Sequence, residues 1–113
     1  MYNLFLDDVR NANAFLNDIR TWETARSYKQ FVKVIQERGM PQFISFDHDL
    51  DFYTADFSSK TGYDCAKWLI EECMRTSQPL PEFQVHSMNP VGKLNIQSVL
   101  NSYKKIEKSV DYE

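Results

Sequence analysis

The chain holds two histidines, and each follows a short apolar run. His48 stands between two carboxylates, in Asp47-His48-Asp49, after Phe43-Ile44-Ser45-Phe46. His86 follows Phe83-Gln84-Val85 and opens a polar stretch, Ser87-Met88-Asn89-Pro90. A third apolar run, Asn3-Leu4-Phe5-Leu6, ends in Asp7-Asp8-Val9-Arg10. Imidazoles titrate near neutrality and can serve in turn as base and acid. A phosphodiester cleaved by water needs a base for the water and a proton or a cation at the leaving oxygen. Asp7, Asp8, Asp47 and Asp49 are hard oxygen donors. Carboxylates crowded at one cleft repel one another unless a cation such as Mg²⁺ or Mn²⁺ neutralises them. Adjacent residues on an extended chain point opposite ways, so one of Asp7 and Asp8 is expected to be structural. Arg10 offers a fork that suits two phosphate oxygens, and equally suits Asp8 or Asp49 as an ion-pair partner.

The stretch from His86 to Lys93 adds neutral and cationic groups. Ser87 and Asn89 offer hydrogen bonds, Gly92 lets a backbone approach an anion, and Lys93 brings a charge to the same helix start. The glycine spacing is not that of a Walker loop. The plainer alternative is a turn in which Ser87 and Asn89 satisfy their own backbone.

Four strands and three helices must position these groups. Residues 2–6 read as a strand with a continuous apolar patch, which suits a central parallel strand covered on both faces. Residues 11–18 read as a loop with one helical turn around Ala14-Phe15-Leu16. Ile19 to Trp22 reads as a second, weaker strand. Thr24 is expected to cap a helix that buries Ala25, Tyr28, Phe31, Val32 and Ile35, with Gly39 and Pro41 ending it. Phe43 to Phe46 reads as the third strand. The stretch from Leu50 to Lys60 is expected to be a loop whose aromatics, Phe52, Tyr53 and Phe57, either fold back or form a lid. Thr61-Gly62-Tyr63-Asp64 reads as a capping box opening a helix with Tyr63, Ala66, Leu69, Ile70, Cys73 and Met74 inward. Phe83 to Val85 is the fourth strand. A last helix places Ile96, Val99, Leu100, Tyr103 and Ile106 inward, with Lys104, Lys105 and Lys108 at its solvated end. This alternation predicts an α/β layer fold with a parallel sheet and right-handed crossovers. Ligands of such sheets bind beyond the carboxyl ends of the strands, where three of the four strands carry polar clusters.

A chain of 113 residues, 42% of them hydrophobic, suits a single domain over residues 1–113 with one core. The net charge of −3 argues against a broad nucleic-acid surface, but not against a small nucleotide held by a few local cations. No apolar stretch is long enough to span a bilayer, and the first residues lack a signal-peptide pattern. Cys65 and Cys73 fall eight residues apart in one helix, about 12 Å along its axis, too far for a disulfide. Reduced, partly buried thiols and a cytoplasmic setting are the expectation.

Leu4-Phe5-Leu6-Asp7-Asp8-Val9-Arg10, Ile44-Ser45-Phe46-Asp47-His48-Asp49-Leu50, Thr61-Gly62-Tyr63-Asp64 and His86-Ser87-Met88-Asn89-Pro90-Val91-Gly92 with Asn95 together resemble the cyclic-phosphate processing receiver-like domain family. The resemblance runs over nearly the whole chain in motif order. Asn11-Ala12 and Asp51 depart from it, where the family often has Pro and Gly. It implies a receiver-like, flavodoxin-like parallel sheet of about four strands in order 2-1-3-4. It also implies the handling of a cyclic phosphate on a nucleotide or RNA end.

Three functions follow as expectations. The first is a phosphoesterase (a hydrolase) with His48, His86 and Asp47 catalytic. Asp7, Asp8 and Asp49 would then hold Mg²⁺ or Mn²⁺, and Arg10, Ser87, Asn89, Lys93 and Asn95 would hold the substrate. The second is a module that binds a nucleotide without cleaving it. The third is a phosphorelay receiver with Asp47 as acceptor. It is disfavoured because the fifth strand and its lysine are missing and an imidazole sits beside the acceptor.

Overall fold

Four tetrapeptides pair edge to edge, and the first and third of them end where an apolar run ends. They are Asn3–Leu6 (β1), Trp22–Ala25 (β2), Phe43–Phe46 (β3) and Glu82–Val85 (β4). Three helices separate or follow them: Tyr28–Arg38 (α1), Gly62–Thr76 (α2) and Pro90–Ser109 (α3). The structure, a computed structural model, describes residues 1–12, 21–50 and 60–109. The strands form one parallel sheet in the order β2-β1-β3-β4, the receiver-like arrangement.

Register organises everything above the sheet. Leu6 pairs with Ala25 and with Phe46, and Phe46 with Val85, so the last residues of all four strands lie in one row. Successive side chains on a strand point to opposite faces. Leu4, Leu6, Ala25, Ile44, Phe46 and Val85 therefore share one face. They pack there with Phe31 and Ile35 of α1, Cys65, Ala66, Leu69 and Cys73 of α2, and Ile96 and Leu100 of α3. The opposite face carries Phe5, Trp22, Phe43, Ser45 and Gln84. On it Trp22 meets the rings of Phe5 and Phe43 edge-on, each at 5.9 Å.

The helices end as their residues require. Ser27, not Thr24, caps α1, its Oγ accepting from the Gln30 N–H at 3.2 Å. Thr24 and Ala25 belong to β2, because the strand runs from Trp22 and pairs residue by residue with β1. Ile19, the expected start of that strand, lies outside the described residues, as do Ala14-Phe15-Leu16 and Phe52, Tyr53 and Phe57. With α1 starting at Tyr28, it buries Phe31 and Ile35 and packs Tyr28 and Val34 against the core, Val34 in place of the expected Val32. Gly39 ends α1 at φ 86°, a conformation open to glycine, while its N–H bonds the Ile35 carbonyl.

Thr61 and Asp64 form the expected capping box at α2. Met74 and Ile106, expected inward, are exposed, because Cys73 and Tyr103 hold the inward positions of the last turns. Both cysteines are buried thiols that form no disulfide with each other. Burial, then the charges of Glu107 and Glu72, pushes the Cys73 thiol up to about 12, which disfavours its thiolate. Among the described residues no helix is long and apolar enough to cross a membrane.

Gly62 presses the start of α2 onto the end of β3. Its N–H donates to the His48 carbonyl at 2.7 Å, and a Cβ there would sit 1.8 Å from the Asp47 carbonyl oxygen. Thr61→Ala removes a cap and is expected to cost about 1 kcal/mol. Gly62→Ala forces backbone apart and is expected to cost about 2 kcal/mol or more. Urea unfolding should rank both variants below the parent, with Gly62→Ala lowest. An unchanged midpoint for Gly62→Ala would contradict this packing.

Candidate functional site

The row just past the strand ends consists of Arg26, Asp7, Asp47 and His86. The ladder still holds there: Asp7 N–H bonds the Ala25 carbonyl (3.1 Å), Asp47 N–H the Leu6 carbonyl (2.9 Å) and His86 N–H the Phe46 carbonyl (2.9 Å). Neighbouring strands lie about 4.8 Å apart, so side chains of one row on one face must meet. The carboxylates of Asp7 and Asp47 and the imidazole of His86 do, each offering one atom within 4.8 Å of the others. These three residues could hold a metal ion.

Asp7 is fully buried and well satisfied. Its Oδ1 accepts the N–H groups of Val9 (3.0 Å) and Arg10 (2.8 Å), and His86 Nε2 lies 3.0 Å from Oδ2. Burial alone would raise its pKa. The His86 contact and the two backbone N–H groups outweigh that and bring it from 3.8 to about 2. Asp47 is the opposite case. Burial, then the charges of Asp7 and Asp8, raises it, against a pull downwards from the His48 N–H. A buried carboxyl raised beside another carboxylate is the situation a cation relieves.

One residue further on come Asp8, His48 and Ser87, and His48 lies against α3 on the helix-covered side. His48 accordingly keeps different company from His86. Its Nδ1 lies 2.9 Å from Asp49 Oδ1, which also accepts from Asn89 Nδ2 at 3.4 Å. Its ring lies against Gly92 of α3, where a Cβ would stand 2.3 Å from Cγ. Gly92, expected to admit an anion, instead admits this imidazole. His86 stacks on Phe5 on the other face, with centroids 4.6 Å apart and planes 7° apart. The two imidazoles share the mouth of the sheet and bond different groups, Asp49 for His48, Ser45 and Asp7 for His86.

The remaining expected site residues fall around this mouth. Asp8 is buried, and its charge reaches Asp47. Asp49 is more than half exposed. Arg10 Nε lies 3.8 Å from Asp7 Oδ2. Ser87 Oγ accepts the Asn89 N–H, and Asn89 Oδ1 accepts the Gly92 N–H and so caps α3. Both hydrogen bonds serve the turn itself. Lys93 is half-buried and Asn95 exposed on the first turns of α3.

A model of the cyclic-phosphate processing receiver domain matches residues 2–102. The chain belongs to that family. No curated protein matches it. A solved chimera of residues 181–211 of the yeast Spc42 trimeric coiled coil fused to another structure superposes with a TM-score of 0.55 at 19% identity. The match covers 87% of this chain and 59% of that one, and at this identity it speaks for the fold alone. In this cyclic-phosphate processing receiver domain, motif reading misses three supporting residues. Arg26 Nη1 donates to the carbonyls of Asp7 (3.2 Å) and Arg10 (2.6 Å), and Nη2 to Asn11 Oδ1 (2.9 Å), which clamps the loop that carries Asp7. Ser45 and Gln84 sit one turn of the pleat below His86. Their signal is parity: each precedes a site residue by two, on the same face.

The two carboxylates have opposite effects on stability. The proton bound by Asp47 favours the folded state, so its contribution falls as pH rises above the ordinary 3.8 through its raised value. Asp7 stabilises fully above 3.8, and that contribution is lost as pH falls towards about 2. In metal-free buffer at pH 7, Asp47→Asn is expected to raise Tm and Asp7→Asn to lower it. The Asp47→Asn gain should shrink as pH falls towards 4 in thermal melts. A Tm for Asp47→Asn below that of the parent at pH 7 would contradict this assignment.

Proposed function

We propose that this chain is a phosphoesterase that opens the cyclic phosphate of a nucleotide or an RNA end. The observation that carries the reading is the convergence of Asp7, Asp47 and His86 from three strand ends into one cluster, with both carboxylates buried and His86 partly so. The family's description, cyclic-phosphate processing, points the same way.

The donor set fits a small hard cation. Oxygen ligands at about 2.1 Å from one Mg²⁺ lie at most ~4.2 Å apart, so atoms within 4.8 Å need only a small closure. Asp7 and Asp47 would hold it, and the cation would offset charge on the phosphate. Of the two imidazoles, His48 is the one to meet substrate. Its Nδ1 is occupied by Asp49, its Cγ with Cδ2 and Nδ1 on either side lies against Gly92, and its Nε2 has no partner among the described residues. Such a ring can take a proton from water or give one to the leaving oxygen. The Asn89–Lys93 turn meets this ring through Asp49 and Gly92, Arg10 reaches Asp7, and both would hold phosphate oxygens.

The test is turnover of 2′,3′-cyclic and 3′,5′-cyclic nucleotides by purified protein with Mg²⁺, Mn²⁺ or neither. Cation-dependent ring opening is expected, falling on the order of 100-fold or more in His48→Ala. Turnover with none of these substrates under any of these conditions would overturn the proposal, as would full activity in His48→Ala. Tight binding without consumption, seen by calorimetry, would replace it with a sensing module.

A further inference from the structure

Two polar side chains lie on the face that Phe5 and His86 share. Ser45 is fully buried. Its Oγ accepts from Gln84 Nε2 at 3.0 Å and lies 2.7 Å from Nδ1 of His86. These are its side-chain partners among the described residues. An amide N–H donates and cannot accept. The hydroxyl hydrogen of Ser45 therefore points at Nδ1, which must offer a lone pair. That leaves the ring hydrogen on Nε2, 3.0 Å from Asp7 Oδ2, to which it is donated. The Phe5 ring, stacked at 4.6 Å, fixes the plane of the imidazole. Turning the ring over would put carbons where both nitrogens now bond.

We infer that Ser45 and Gln84 are positioning residues that hold His86 in its Nε2–H form, so that it backs Asp7 as a hydrogen-bond donor and is not a nitrogen ligand. A histidine that binds a metal turns a lone pair to the ion and protonates its other nitrogen. Here the nitrogen facing the carboxylates bears the hydrogen, and the lone pair faces Ser45. Protein ligands to a cation at this row are then all oxygen, which suits Mg²⁺ or Mn²⁺ over Zn²⁺. That consequence rests on the cation-assisted esterase reading, whereas the tautomer rests on the hydrogen bonds alone.

The experiment is long-range ¹H–¹⁵N NMR of the histidine rings in metal-free protein labelled with ¹⁵N-histidine. In the parent, His86 is expected to show a pyridine-type Nδ1 and a pyrrole-type Nε2. Gln84→Glu replaces the donor with an acceptor, which draws the Ser45 hydroxyl hydrogen to itself. Nδ1 must then carry a hydrogen to keep its bond to Ser45, and its protonated fraction should rise about tenfold or more. In the double variant Ser45→Ala/Gln84→Glu the link is cut and that rise should vanish. A pyrrole-type Nδ1 in the parent would overturn the inference, and that spectrum needs no variant to fold. An unchanged Nδ1 in folded Gln84→Glu would overturn the role given to Ser45 and Gln84. Mg²⁺ added to the parent should leave the pattern as it is, and inversion would make His86 a ligand and refute the inference. Failure of the cyclic-nucleotide assay would count against the esterase reading alone, since the nitrogen spectra of His86 depend on no turnover.

Discussion

An in-register parallel ladder is the constraint on which this molecule depends. Because Leu6, Ala25, Phe46 and Val85 end level, the residue after each strand enters a single row. Asp7, Asp47 and His86 are far apart in sequence and become neighbours for that reason alone. Slipping any one strand by a residue would send its site side chain to the opposite face. Apolar rows below make such a slip costly, since it would expose Leu4, Leu6, Ile44 or Phe46 and bury polar neighbours instead. The hydrophobic core thus holds the site by holding the register.

Placing two carboxylates in one buried row is unfavourable by itself, and the surroundings answer it unevenly. Asp7 receives two backbone N–H groups and the His86 contact, so its charge is compensated. Among the described residues Asp47 receives one N–H, from His48, and it remains raised by burial and by its acidic neighbours. The asymmetry leaves one carboxylate fixed and one in need of a counter-charge. Such an imbalance is a property of binding sites, where local stability is given up for a place that a ligand completes. Glycines at the starts of α2 and α3 complete the geometry by letting both helices close on the Asp47–His48 turn.

Much of this is legible in the residues. The strand β3, the capping box at Thr61, the sheet order and the gathering of polar groups at the strand ends all follow from local pattern and the family resemblance. Local pattern sets strand β2 three residues too early. Trp22-Glu23-Thr24-Ala25 has weak strand character by itself and gains it from pairing with β1. That displacement also moves the cap of α1 from Thr24 to Ser27. Within the site, adjacency in sequence misleads in one respect. Asp47 and His48 look like one cluster, yet alternation places their side chains on different faces. Ser45 and Gln84 are invisible for a related reason: a lone polar residue in a strand gives no sign of its partner until register is known.

The most direct measurement is a crystal soaked with Mn²⁺ and a cyclic nucleotide, with the metal located by its anomalous signal. The account predicts one peak bound by carboxylate oxygens of Asp7 and Asp47, the cyclic phosphate beside it and His48 Nε2 facing the phosphorus. A phosphate seated elsewhere, or a mouth that takes up neither ion nor nucleotide at saturating concentration, would contradict it.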